Sequence, residues 1–311
     1  MRSGRIGYAG SVLGLALAVP RISRRPSAPP PRIPSPLQAG VLWLFAMVLV
    51  VAAGMAVGAV GALVAVRTGL SVERAFELLS DPKSSPLVTS PIWISISVLV
   101  SEAVLGALVW RFLRRHRVFL HEVCPLGVPS LRDMAGALLC VFGLSPLSGM
   151  LAELVRRQLP RDVNAESMVV ALAKDVTPVE LTCVVLATAV VPAVVEELLF
   201  RGVLTRAFLG RGSLLALSVP SLMFGLFHLE PTQAAGTFVL GFGFGIARLY
   251  TDSVLTSILC HLVYNAYVLI DVYAGGQVGS TELHLGRVGV GLAVSAVGFG
   301  LMVLEPGERR R

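Results

Sequence analysis

Eight apolar runs, separated by short polar or basic segments, set the pattern of this chain. They cover residues 40–66, 91–110, 134–154, 181–200, 213–227, 232–247, 253–270 and 288–304. A helix needs roughly 20 apolar residues to cross a bilayer core. The first run exceeds that length and several others approach or fall short of it. Open strands cannot span lipid, and the period-two alternation of a membrane barrel is absent. The pattern predicts an all-α, polytopic membrane helix bundle with about eight transmembrane helices.

Composition agrees. Hydrophobic residues make up 55% of the 311 positions and charged residues only 14%, against about 25% charged in soluble domains. The net charge of +7 and the pI near 9.7 raise the question of nucleic acid. The basic residues, however, cluster between apolar runs rather than on an aromatic-rich polar face, so they read as topology signals and no nucleic-acid partner is expected. With the amino terminus inside, the inner segments hold 18 Lys and Arg residues and the outer ones 8. The expectation is an integral membrane protein with both termini cytoplasmic.

The chain divides by composition. Residues 1–39 are basic and Pro-rich, with Arg21, Arg24, Arg25 and Pro29-Pro30-Pro31, and should form a disordered arm. The 14-residue apolar stretch 6–19 is too short to span, and the arginines after it favour an uncleaved tail over a signal peptide. Residues 40–170 supply amino-terminal transmembrane helices, 171–304 a second transmembrane core, and 305–311 a basic tail. Segment 71–83 reads as a short interfacial amphipathic helix.

Three polar clusters interrupt the apolar core: Glu196-Glu197-x-x-x-Arg201, Phe224-x-x-x-His228 and His261-x-x-x-Asn265. An ionisable group at the bilayer centre costs about 2.5–3.5 kcal/mol on insertion scales, so such groups are rarely kept there without a role. Glu197 and Arg201 share a helix face and can pair. That pairing leaves Glu196 free for chemistry. Pro192, four residues earlier, removes a helical hydrogen bond and opens the backbone. His261 and Asn265 lie one turn apart and can aim two donors at one point, which suits a developing oxyanion. Taken singly, each pair could be interhelical polar glue. A carboxylate, two histidines and an amide on three helices together look like a hydrolytic site.

Strict alternation of spans would put Glu196 and His228 at opposite membrane faces. They can meet if the fourth helix continues past Arg206 to a turn at Gly210-Arg211-Gly212. Glu196 then stands 15 residues before Arg211 and His228 stands 17 after it. At 1.5 Å per residue the depths, roughly 22 and 26 Å, nearly match.

The order and spacing of these three motifs resemble the type II CAAX prenyl endopeptidase and bacteriocin-processing family, also called Abi or CPBP. The resemblance covers about residues 178–272, and Phe200-Arg201-Gly202 is similar to the family as well. It implies a glutamic-type intramembrane protease with no cofactor. Glu196 would activate water, His228 would help to position and deprotonate it, and His261 with Asn265 would form the oxyanion hole. Glu197, Arg201 and Phe224 would support the site. The implied partners are membrane lipids and a protein or peptide substrate, lipidated or bearing a carboxyl-terminal sorting tail.

Other readings stand beside this one. One Glu and two His match a zinc ligand set, although H-E-x-x-H is missing and the resemblance argues against a metal. The motifs could stabilise a non-catalytic immunity or scaffold protein of the same fold. A proton relay through Glu196 and His228 would suit a transporter, but no inverted repeat is evident. The four cysteines show no metal spacing, and Cys260 points about 100° away from His261 on a helix. Glu102 sits alone in the second apolar run and reads as a structural hydrogen-bonding group, with lining of the cavity as the alternative.

Overall fold

The computed structural model describes residues 33–74, 90–159, 176–274 and 285–304. All eight apolar runs form helices. We label them α1 (Pro36–Arg67), α2 (Pro91–His116), a single turn α3 (Leu120–Val123), α4 (Leu131–Arg156), α5 (Pro178–Leu209), α6 (Ser213–Phe227), α7 (Pro231–Thr251), α8 (Val254–Tyr273) and α9 (Leu285–Val303). Six of them are long and apolar enough to cross a membrane: α1, α2, α4, α5, α8 and α9. The two that fall short are α6, which has 15 residues, and α7, which carries Thr232, Gln233 and Thr237 in its first two turns and Arg248 in its last. The expected count of about eight spans is therefore approximate, and the protein is an integral membrane protein. The arm up to residue 32 and most of the expected interfacial helix, beyond Arg74, lie outside the described residues.

Helix starts follow local chemistry. Ser35, Ser130 and Thr177 each cap a helix by accepting a backbone N–H three residues on, with Gln38, Asp133 and Glu180 returning the bond. Pro36, Pro91, Pro178 and Pro231 occupy first-turn positions, where the missing N–H costs nothing. Glu230 caps α7 through the backbone N–H groups of Thr232 and Gln233.

The helices pair by close approach. α1 and α2 form an antiparallel hairpin in which Ser101 Oγ donates to Val50 O at 3.4 Å. α4 and α9 touch backbone to backbone: a Cβ on Gly143 would lie 2.6 Å from Gly291 O, and one on Gly136 2.7 Å from Gly298 O. Small residues at such crossings let membrane helices gain packing where no hydrophobic drive exists between helix and lipid. The innermost layer joins Leu105 of α2, Leu199 and Phe200 of α5, Phe224 of α6 and Phe244 of α7. All four cysteines are free thiols, and Cys124, Cys140 and Cys260 are buried.

The helix carrying the two glutamates runs on to Leu209, turns at 210–212, and returns as α6. Gly212, at φ +113°, supplies the left-handed turn residue that a side chain would strain. The hairpin geometry needed to bring the first and second motifs together is therefore present.

Candidate active site

α5 is not a regular helix. Two π-helical stretches, Leu186–Val190 and Leu198–Leu204, bracket the α-helical turn that carries the glutamates. Pro192 has no N–H to give to the carbonyl four residues back, which belongs to Thr188. That freed carbonyl accepts Asn265 Nδ2 from α8 at 3.0 Å. The proline thus sets the position of the third motif's amide. π-turns interrupt the helical ladder and are found preferentially where function needs an irregular backbone.

Glu196 and Glu197 are neighbours with opposite surroundings. Glu197 is fully buried, and its Oε1 accepts from Arg201 Nη1 at 2.7 Å. Arg201, itself 1% exposed, donates its other terminal nitrogen to Gly241 O on α7 at 3.0 Å. The guanidinium lies over the Phe224 ring at 4.5 Å and near those of Phe244 and Phe200 at 5.2 and 5.9 Å. Cation–π attraction is strongest where water is excluded, as here. Glu197 and Arg201 are therefore anchors. Among the described residues Glu196 makes no comparable bond; a near polar neighbour is His261 Nε2, 3.9 Å from Oε2.

His261 is oriented from three sides. Its Nδ1 lies 3.1 Å from Glu197 Oε1. Glu197 is an acceptor in its pair with Arg201, so His261 Nδ1 carries the proton in this contact. Nε2 is thereby turned toward Glu196. The ring stacks on Phe244 at 4.7 Å and meets the edge of Phe224 at 5.7 Å. For Nε2 to donate to an oxyanion as well, the ring would have to carry protons on both nitrogens.

His228 closes α6. Its Nδ1 donates to Phe224 O at 3.0 Å, which leaves Nε2 with its lone pair. Phe224 separates it from the third motif: its ring centroid is 5.1 Å from His228 and 5.7 Å from His261. Phe224 also packs edge-on against Phe200 at 5.1 Å. This residue is the hub of the site, touching α5, α7 and α8 at once.

The seven residues singled out in the sequence are not equally joined. Glu196, Glu197, Arg201, Phe224 and His261 form one contact network. His228 stands behind Phe224, and among the described residues no hydrogen bond joins it to Glu196. Asn265 is held through Thr188. Sequence reasoning missed the Gly241 carbonyl, Phe244 and the Thr188 carbonyl. Only the last had a signal, since Pro192 marks the acceptor four residues before it. Among the described residues no three His, Cys, Asp or Glu side chains are grouped as a metal ion would require.

The model of the Rce1-like type II CAAX prenyl endopeptidase family matches residues 178–267. The match begins at the first residue of α5 and ends within α8, so it spans the four helices that build the site. No curated protein and no solved structure matches the chain. The matched region is similar to a family of membrane CAAX proteases, and the three motifs that suggested this resemblance lie within it.

Proposed function

We propose that this protein is an intramembrane glutamic-type endopeptidase that hydrolyses a peptide bond in a membrane-associated protein or peptide. Glu196 takes a proton from water, and the hydroxide adds to the scissile carbonyl carbon. Negative charge then builds on the carbonyl oxygen, which Asn265 and a His261 ring protonated on both nitrogens would stabilise as donors. Such donors are each worth roughly 3–4 kcal/mol when oxyanion holes are dismantled. The C–N bond breaks and Glu196 returns its proton to the leaving amine. His228 Nε2 is an acceptor that steadies the attacking water from the α6 side. Glu197, Arg201 and Phe224 hold the frame.

The observation that carries this reading is the asymmetry of the glutamate pair. Glu197 is anchored by Arg201 and His261, while Glu196 faces His261 Nε2 at 3.9 Å and has no anchoring partner among the described residues. A general base contributes about 10²–10⁴-fold to rate. The substrate on this reading is a lipidated protein terminus or a segment with a sorting tail, and both chain termini face the cytoplasm.

Terminal proteomics on membranes from cells expressing the wild-type protein or Glu196→Ala tests it and identifies the substrate at the same time. New protein termini should appear with the wild type alone, and should persist when a chelator is added. Termini that survive in Glu196→Ala would remove the base assignment. Loss with chelator and recovery with zinc would make the enzyme metal-dependent. A cellular phenotype retained by Glu196→Gln without any cleavage would point to a scaffold.

A further inference from the structure

α5 and α7 end on the same side of the bundle, where the chain around α3 is clamped between them and the start of α8. Arg206 Nε of α5 donates to Glu122 O at 3.2 Å, the Val254 N–H donates to Pro125 O at 2.8 Å, and Ser253 Oγ donates to Gly127 O. These bonds wall a polar cavity of about 150 Å³, lined by His121, Glu122, Arg206, Leu209, Arg248 and Asp252. At roughly 30 Å³ per water it has room for several waters or one small anion. The cavity is separate from the candidate active site: Arg206 stands ten residues beyond Glu196 along α5, roughly 15 Å at 1.5 Å per residue. The spans α2 and α5 end beside it and α8 begins there. In a bilayer it would lie at the level of the headgroups.

Arg248 makes this cavity more than a gap between helix ends. It is 3% exposed, and its Nη1 donates to Asp252 Oδ1 at 2.9 Å. The Asp252 side chain is 68% exposed, so water screens that attraction. Arg248 Nε is sealed from solvent and finds no acceptor among the described residues. A buried guanidinium carries five N–H donors, and leaving them unmet is costly. The second acid of the cavity is engaged elsewhere: Glu122 Oε2 accepts the Phe119 N–H at 2.9 Å. The surrounding end of the bundle is basic. Arg114 and Arg115 close α2, followed by Arg117, with Arg132 opening α4 and Arg211 in the turn after α5. Among the described residues the acids there are Glu122, Asp252 and Asp133, the last tied to Ser130 as a helix cap.

We propose that the cavity walled by Arg206 and Arg248 is a phosphate-binding site, taking the phosphorylated headgroup of an anionic lipid or a soluble phosphate. Arginine forks pair with phosphate oxygens two at a time, and a tetrahedral group offers oxygens to both guanidinium groups at once. A bound phosphate would supply the acceptor that Arg248 lacks. It would also tie the end of α5, which carries Glu196 and Arg201, to the end of α7, whose Gly241 carbonyl receives Arg201. Basic pockets between membrane helices at headgroup level favour acidic lipids in this way. The site stands whether or not the protein is a protease.

The test titrates full-length protein, in maltoside detergent and phosphate-free buffer, with phosphatidic acid, inorganic phosphate, phosphatidylcholine or acetate, and follows thermal unfolding. A ligand of the folded state raises Tm in a saturable way. Phosphatidic acid should do so at concentrations at least about tenfold below phosphatidylcholine, which marks a lipid headgroup site. Saturation by inorganic phosphate in the same range would instead assign the soluble ion, and the phosphate site still stands. No saturable shift with either phosphate overturns the proposal, as does an equal response to acetate or to phosphatidylcholine. Arg248→Gln and Arg206→Gln should each weaken binding by about tenfold or more, the size of a lost charge-assisted bond. Arg211→Gln, an arginine of the adjacent turn that does not line the cavity, should leave binding within about twofold. An equal loss in Arg211→Gln would mean a diffuse basic surface and would overturn the site. Should Arg248→Gln not fold, Arg206→Gln and Arg248→Lys decide, the latter keeping the charge and losing the fork. Unchanged binding in both overturns the proposal.

Discussion

α1 and α5 are both 32 residues long and both strongly apolar, yet half of the most apolar stretch of α5 is buried against 11% of that of α1. α1 exposes Leu37, Leu44, Phe45, Val48 and Met55 along its outer side. α5 is enclosed by α2, α6, α7 and α8 and carries a proline, two π-turns and three charged side chains in its middle. Hydropathy alone cannot separate these two helices, because lipid and a protein interior are equally apolar. What separates them is regularity. A helix that faces lipid must satisfy its own backbone, since no water or neighbour will do it. A helix surrounded by others can break its ladder, because a neighbour such as Asn265 can take the freed carbonyl.

The comparison breaks first at Arg201. Removing one partner of a buried ion pair leaves the other charge uncompensated, at a cost of about 3–5 kcal/mol. Arg201→Ala strands Glu197, whose side chain is fully buried, and also removes the bond to Gly241 O and the cation that packs on three rings. Thermal unfolding in detergent should show a loss of that size. Glu196→Gln, one residue from the same pair, should change stability by less than about 1 kcal/mol, because no anchoring bond is lost. Equal losses in the two variants would erase the distinction between anchor and base.

Next comes Gly202. A Cβ there would collide with Cys124 Sγ, the residue after α3 whose thiol donates to Leu198 O at 3.9 Å. Overpacking a tight interior typically costs about 1–3 kcal/mol, so Gly202→Ala should destabilise by that much. Cys124→Ala clears the colliding atom. In a double-mutant cycle it should therefore recover a good part of the loss. No recovery would mean that the π-helical backbone itself, rather than the contact with Cys124, requires glycine.

Much of this contrast is legible in the residues alone, and the unread part has a physical cause. The apolar runs located every long helix, and the depth match between Glu196 and His228 required the turn near Arg211 that the structure contains. The i, i+4 spacing of Glu197 and Arg201 announced their ion pair. What stayed hidden depends on tertiary partners. Nothing local says that the carbonyl of Gly241 will meet the first motif or the ring of Phe244 the third. The orientation of His261, with Nδ1 toward Glu197 and Nε2 toward Glu196, follows from a contact between helices that spacing along one helix cannot supply.

The smallest expected effects lie on α1, where two adjacent residues divide the helix. Trp43 points inward, and its Nε1 donates to Met223 O of α6 at 3.1 Å, one residue before the hub Phe224. Trp43→Phe keeps an aromatic ring and deletes that bond, which is worth about 1 kcal/mol net. Leu44 faces the other way and is 57% exposed. In a bilayer that side would meet lipid tails, so Leu44→Ala would exchange one apolar contact for another without opening a packed cavity. Alanine is also the better helix former. The expected change is within about 0.5 kcal/mol, measured in lipid or detergent by thermal unfolding. A loss at Leu44 as large as that at Trp43 would mean that the outer side of α1 is packed against protein, and the contrast with α5 would then hold only for the isolated chain.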